Sequence, residues 1–113
     1  MAYDEYLAER IRIVLNQKSV SFEEKKMMGG LCFMVNDKMC VGIVKDSLMA
    51  RIGSEMYESA LAMQGCRKMD FSGKPLRGFV FLDPDAIDMD NDLIYWIQKC
   101  LDFNPQARSS KKK

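Results

Sequence analysis

Two apolar runs separated by the polar pair Asn36-Asp37 constrain the fold of this chain more than any other feature. Asn and Asp tolerate the positive φ of a tight strand reversal, so the pair predicts a β-hairpin with strands at residues 31–36 and 38–44. The glycine pair Gly29-Gly30 is typical of a turn or bulge, and it predicts another strand before the hairpin. A hairpin in this position indicates an antiparallel sheet.

The other periodicities predict three helices and four more strands. We expect helices at residues 3–17 and 55–63 and a last helix ending near residue 103, with further strands at residues 22–28, 48–52, 67–71 and 77–83. The charges of the first strand are typical of an exposed sheet edge. This α-β4-α-β2-α order predicts the α+β class, with an antiparallel sheet of about six strands packed with three helices.

Four helix ends are expected to be marked by particular residues. Asp4 is predicted to cap the first helix, Ser54 the second, and Asp88 or Asp90 the third, because their side-chain oxygens can accept from free backbone N–H groups. Gly65 is expected to end the second helix in a left-handed conformation.

The 113-residue length predicts one domain, residues 1–104, followed by a disordered basic tail at residues 105–113. A net charge of +1 gives no overall field that would attract nucleic acid or an anionic membrane. No apolar run approaches the ~20 residues of a membrane helix, and the acidic N-terminus does not resemble a signal peptide. We therefore expect a cytoplasmic protein that does not enter the membrane.

The strands at residues 31–35 and 79–82 are apolar on both faces, whereas an antiparallel sheet with one wet face alternates. Two arrangements would explain this pattern. Either helices cover both faces of the sheet, or a second copy of the chain buries the second face. We expect the second arrangement, a homodimer, because exposed apolar side chains of this number are unusual in soluble monomers.

The cysteines are too widely spaced to indicate a metal site, and the chain has no histidine. A two- or four-residue reversal would place Cys32 and Cys40 on opposite faces of the hairpin. A three-residue reversal would make them diagonal neighbours, too distant for an unstrained bridge. We therefore predict four reduced thiols, Cys32, Cys40, Cys66 and Cys100, and neither a metal, a cofactor nor a catalytic residue.

The candidate interaction residues are all basic: Arg51, Arg67, Lys68, Lys74 and Arg77. Arg51 interrupts an apolar run, so it is expected either to pair with a buried carboxylate or to present its planar fork to a ligand. The other four form a positive region that could contact nucleic-acid phosphates. The carboxylates that could neutralise this region are Asp70, Asp83 and Asp85.

Three segments in order resemble the TfoX N-terminal domain family: KMMGGLCFMVN at residues 26–36, LMARIG at 48–53 and MDFSGKPLRG at 69–78. The resemblance extends from Tyr3 to Phe103. Family members usually carry Phe where Met28 stands and often Gly where Asp37 stands, so the chain departs mildly from the pattern at these two positions.

The resemblance implies a regulatory domain related to regulators of competence, the uptake of DNA in transformation. It supplies no catalytic residues. Longer members continue into a separate C-terminal domain, which would begin about where this chain ends, so a stand-alone N-terminal domain is expected. We interpret the chain as a non-enzymatic regulatory or protein-interaction module with an unknown protein partner. The alternative is a nucleic-acid-binding accessory domain that uses the hairpin of residues 67–77 and the basic tail.

Overall fold

Six antiparallel strands and three α-helices form the structure, a computed structural model that describes residues 3–27, 29–71 and 74–107, without the side chains of residues 27, 70, 71 and 74–76. The helices are α1 (Glu5–Gln17), α2 (Ser54–Leu61) and α3 (Asp90–Phe103). The strands are β1 (Glu23–Met27), β2 (Gly30–Val35), β3 (Lys38–Val44), β4 (Ser47–Arg51), β5 (Cys66–Phe71) and β6 (Lys74–Leu82). The predicted α+β class and element order are confirmed.

The strands lie in the order β1-β2-β3-β4-β6-β5, and every neighbouring pair is antiparallel. The first four strands form the expected meander, with β1 at one edge as its charges predicted. The final hairpin, β5–β6, joins the meander by pairing β6 with β4, so β5 forms the second edge of the sheet. A short 3-10 helix, Pro84–Ile87, then connects β6 to the region before α3.

The central hairpin turns through two residues, Asn36 and Asp37, which have φ values of 56° and 63°. Positive φ at both positions is the geometry that the polar pair predicted. A register shift interrupts the β2–β3 ladder between Phe33 and Met34. Cys40 and Val41 both belong to the core beneath the helices, whereas Cys32 lies in a cluster on the other side. Of the two arrangements considered for the cysteines, the structure therefore has the one in which Cys32 and Cys40 occupy opposite faces.

All three helices contribute to one hydrophobic core on a single face of the sheet. This core combines helix side chains such as Ile11, Tyr57 and Ile97 with strand side chains such as Phe33 and Leu48. The hypothesis that helices cover both faces of the sheet is wrong for the described residues, because the cluster on the other side contains strand residues only. We call that other side the outer face.

Four side chains at the centre of the outer face, Cys32, Met34, Met49 and Met69, are at most 3% exposed within the single chain. Met39, Phe79 and Phe81 pack against them and are partly buried. The two-sided apolar character of the strands is thus largely accommodated without a second copy. The apolar side chains that the outer face still exposes in part surround this cluster: Met39, Phe79 and Phe81.

Asp4 caps α1 as predicted, because its Oδ1 accepts from the N–H groups of Tyr6 and Leu7 at 2.9 and 3.2 Å. The prediction for α2 is wrong by one residue. Ser54 is the first helical residue, and the N-cap is Gly53, with a φ of 90°. The ring of Phe103 would lie only 2.5 Å from a Cβ at Gly53, so packing as well as conformation excludes a side chain there.

The caps predicted for α3 and for the end of α2 are also wrong. The N-cap of α3 is Met89, whose side chain makes no capping bond. Asp88 has helical angles at the end of the 3-10 helix, and the Asp90 carboxylate pairs instead with Arg10 at 3.2 Å. Gly65 has the expected positive φ of 82°, but α2 already ends at Leu61.

Asn104 fixes the end of α3 to the central hairpin. It is only 3% exposed, and both ends of its side-chain amide are hydrogen-bonded. The amide nitrogen donates to the Val35 carbonyl at 3.1 Å, and the amide oxygen accepts from Asn36 Nδ2 at 2.8 Å. A second 3-10 helix, Asn104–Gln106, follows, and Ala107 is buried. The folded part therefore continues past the predicted boundary at residue 104. The remainder of the predicted tail, residues 108–113, lies outside the described residues.

Candidate interaction surface

Arg51 and Phe79 are direct cross-strand partners on the outer face, on β4 and β6. The Arg51 guanidinium carbon lies 5.2 Å from the centre of the Phe79 ring, within the range of a cation–π contact. Its Nη1 donates to the Met39 carbonyl at 3.3 Å. Burial lowers the pKa of Arg51, so this cation is partly desolvated.

The carboxylate partner expected for Arg51 is not found among the described side chains, where no salt bridge involves this residue. An aromatic ring and a backbone carbonyl take its place. Both are weaker partners for a half-buried cation than a carboxylate would be. In the described part of the structure, the one side-chain hydrogen bond of Arg51 is the bond to the Met39 carbonyl.

Arg67 and Phe81 repeat this arrangement on the opposite side of β6. The guanidinium carbon of Arg67 lies 5.6 Å from the Phe81 ring centre. The guanidinium is also held by Asp83, with Nε to Oδ1 at 2.6 Å, and by the Ser47 hydroxyl, with Nη2 to Oγ at 3.0 Å. The prediction that Asp83 neutralises this part of the chain is confirmed for Arg67.

The other predicted basic residues do not join this pair. Arg77 lies beside α2, where it contacts the Tyr57 ring at 5.2 Å and Glu58 at 3.3 Å. Lys68 stands opposite Val80, a residue of the helix-side core, so it is directed away from Arg67. The side chain of Lys74 lies outside the described residues. The structure thus divides the predicted positive region between separate surfaces.

A sulfur-rich layer supports the two arginine–phenylalanine pairs. The Cys32 thiol contacts the Met34 sulfur at 3.7 Å, and Met39 and Met49 pack in the same cluster. Burial raises the pKa of the Cys32 thiol to about 11, so at neutral pH it is a neutral, apolar group. Methionine adapts its shape easily and is common at protein-binding surfaces.

The sequence missed Phe79 and Phe81 as site residues. Their alternation with Val80 and Leu82 was a usable signal, because it places both rings on one face of β6. Their pairing with Arg51 and Arg67 depends on the β4–β6 neighbourhood, which short-range patterns do not reveal. No group of three or more cysteine or acidic side chains that could hold a metal occurs in the described part of the chain.

The fold and surface define a small α+β domain whose sheet has helices on one face and arginine–aromatic pairs on the other. The chain belongs to the TfoX N-terminal domain family, which it matches over residues 17–104, most of its 113-residue length. Comparison with curated proteins and with solved structures gave no match. No described helix has the length and apolar character needed to cross a membrane.

Proposed function

We propose that this TfoX-like domain is a regulatory module that acts by binding rather than by catalysis, and that its outer face docks onto a second copy of the chain. The observation that carries the proposal is the pair of cross-strand contacts, Arg51–Phe79 and Arg67–Phe81. Arginine and aromatic residues are enriched among the side chains that dominate binding energy in protein interfaces.

The electrostatics of Arg51 favour this assignment. A partly desolvated guanidinium without a described carboxylate partner gains most from a surface that supplies acceptors and excludes water. A two-fold interface brings the same patch of each copy together and excludes water from it. The partly buried Phe79 and Phe81 rings would add apolar area at the centre of the contact.

The chemistry of the chain also favours binding over catalysis. It contains no histidine, the usual acid–base residue near neutral pH. Burial raises the pKa of the Cys32, Cys66 and Cys100 thiols, so these groups are poor nucleophiles at neutral pH. The proposed place of action is the cytoplasm, where free thiols such as these four stay reduced.

The regulatory role is best tested in the native cell. The gene for this chain would be disrupted, and both DNA-uptake transcripts and transformation frequency would be measured. We expect both to fall and to be restored by the wild-type chain or by Arg77→Ala, but not by Arg51→Ala at equal protein level. Unchanged transcripts after disruption would contradict a role in competence, and full rescue by Arg51→Ala would exclude the outer face from that role.

A second candidate function is supported by the same face. Arginines beside aromatic rings on an open sheet can stack the bases of single-stranded nucleic acid. Fluorescence anisotropy with a labelled single-stranded oligonucleotide, at about 50 and 200 mM salt, distinguishes nucleic-acid binding from self-association. A steep loss of affinity with salt, together with weaker binding by Arg51→Ala, would favour nucleic acid over a second copy.

A further inference from the structure

A cleft lies on another part of the molecule, between the loop after α2, the chain around the 3-10 helix Pro84–Ile87, and the first turns of α3. Its volume is about 820 Å³, within the usual range for ligand sites. The backbone N–H of Asp83 donates to the Gly65 carbonyl at 2.8 Å and so joins two of its walls. Trp96, the single tryptophan of the chain, lines it together with Tyr95.

Exposed apolar side chains gather at this cleft. Of the five large hydrophobic side chains that are exposed among the described residues, Met63 and Tyr95 line it. A third, Met89, is 65% exposed and is the N-cap of α3, two residues before the lining residue Asn91. Apolar surface concentrated around a concavity is typical of a site that another molecule covers.

The charge of the cleft has one sign. Asp83, Asp85 and Asp92 line it, and no lysine or arginine is among its described lining residues. Arg67 already pairs with Asp83, but neither Asp85 nor Asp92 has an ion-pair partner among the described side chains. This negative potential repels phosphate groups, and therefore nucleic acids and anionic lipids, and attracts cations.

Tyr95, one of the aromatic side chains that line the cleft, already contacts a cation that is not itself a lining residue. The Lys99 ammonium lies 5.2 Å from the centre of the Tyr95 ring, so one face of this ring is engaged in a cation–π contact. Arg10 similarly forms an ion pair with Asp90, the residue after Met89. Of the carboxylates that line the cleft, Asp85 and Asp92 have no ion-pair partner among the described side chains.

We propose that this cleft binds a short basic segment of a partner protein, in which lysine or arginine side chains flank one apolar residue. The cations would reach Asp85 and Asp92, and the apolar side chain would lie against Met63 and Tyr95. The cleft contacts the outer face through Asp83, which pairs with Arg67, but Asp85 and Asp92 have no such pair with the outer-face arginines. The cleft thus gives this domain a second binding surface of opposite charge.

The chain's own basic residues after Ala107 are less suited to the site. Ala107 follows the far end of α3, a helix of 14 residues and so about 21 Å long, whereas the cleft lies at its beginning. Six residues span at most about 20 Å even when fully extended. A basic side chain from residues 108–113 would therefore have to run back along α3 past Phe103 to reach Asp92, about 17 Å along the helix axis, whereas a separate partner can approach the cleft directly.

The test uses the fluorescence of Trp96, titrated with an amidated pentapeptide that has one leucine between two pairs of basic residues. Matched peptides replace the basic residues by glutamate, or the leucine by glycine. The protein variants are the double change Asp85→Asn with Asp92→Asn, and Asp46→Asn as a control, because Asp46 is exposed in the β3–β4 turn. Arg51→Ala, a change on the outer face, shows whether peptide binding depends on that face.

We expect saturable binding of the basic peptide, weakened about tenfold by the double change and left unaltered by Asp46→Asn and Arg51→Ala. The glycine peptide should bind several-fold more weakly and the glutamate peptide should not bind. Equal losses in the double variant and in Asp46→Asn would overturn the proposal, as would the absence of saturable binding. A chain lacking residues 108–113 that binds the peptide about tenfold more tightly than the full chain would instead assign the cleft to its own tail.

Discussion

The guanidinium of Arg51 lies over the ring of Phe79, 5.2 Å from its centre, and it donates to a backbone carbonyl instead of a described carboxylate. This relationship links the fold to the proposed function. The strand order places β4 beside β6, and their register makes the two residues direct partners. The result is a partly desolvated cation on a sheet face that no described helix covers, which is why we propose this face for self-association.

Gly29 and Gly30 are expected to respond differently to alanine, although the sequence presents them as one pair. A Cβ at Gly30 would overlap the Ile43 carbonyl oxygen of the neighbouring strand, so β2 and β3 would have to separate. We predict that Gly30→Ala lowers the free energy of unfolding by about 3 kcal/mol or more. Urea denaturation measures this change.

The matched variant is Gly29→Ala. Gly29 has a φ of 73°, but nothing lies within 4 Å of the added Cβ, so the cost is only conformational, about 1–2 kcal/mol. Equal losses for the two variants would contradict the close approach of β2 and β3 at Gly30.

Glu24 should make stability depend on pH. Arg12 Nε and Nη2 donate to its two carboxylate oxygens at 2.7 and 2.9 Å, and these hydrogen bonds lower the pKa of Glu24 from 4.5. A lowered folded-state pKa contributes stability above the unfolded value, and this contribution disappears as the pH falls through the folded value. We predict that Glu24→Gln costs about 0.5–1 kcal/mol at pH 7 and nothing once the carboxyl of the wild type is protonated.

The neighbouring change Glu23→Gln is the control for this pH series, because Glu23 has no ion pair among the described side chains. It should match the wild type throughout. A difference between Glu24→Gln and the wild type that persists in acid, or that is absent at pH 7, would argue against the Arg12–Glu24 pair as its cause.

Cys66 should be the first thiol to react in the folded protein. It is half-buried, whereas Cys32, Cys40 and Cys100 are at most 2% exposed. Burial raises the pKa of Cys66 to about 11, so its reaction with an aromatic disulfide reagent should be slow at pH 7 and accelerate as the pH rises. Cys66→Ser should remove this phase, and an early phase of more than one thiol would contradict the burial of the other three.

The same cysteines bear on the prediction that neither a disulfide nor a metal stabilises the fold. Thermal melts with and without reductant, and with and without chelator, should coincide. A drop of several degrees on either treatment would show a bridge or a bound metal in the purified protein.

Local chemistry predicted much of the fold. Asn36 and Asp37 predicted the turn because positive φ is a property of those two residues and needs no distant contact. Asp4 predicted a cap for the same reason. The caps of α2 and α3 were wrong because Ser54 and Asp90 are the first residues of their helices and not the residues before them. At α2, the position before Ser54 has no room for a side chain beside the Phe103 ring.

The candidate surfaces depend on long-range arrangement and could be predicted only in part. Arg51 was singled out as a charge within an apolar run and Arg67 as part of a positive region, but their separation from Lys68 and Arg77 follows from strand register. The cleft joins residues near 64, 84 and 95, which only the folded chain brings together. In the sequence, Asp83 and Asp85 therefore indicated only neutralising charges, and Asp92 was not singled out.

Self-association through the outer face is tested most directly by sedimentation equilibrium over a hundredfold range of protein concentration. For the wild type and for Arg77→Ala, the average mass should rise from 13.0 kDa towards twice that value. Arg51→Ala should remain near the mass of one chain, because it removes the cation at the proposed interface while Arg77 lies beside α2. A wild-type chain that stays at 13.0 kDa at the highest concentration would contradict the account.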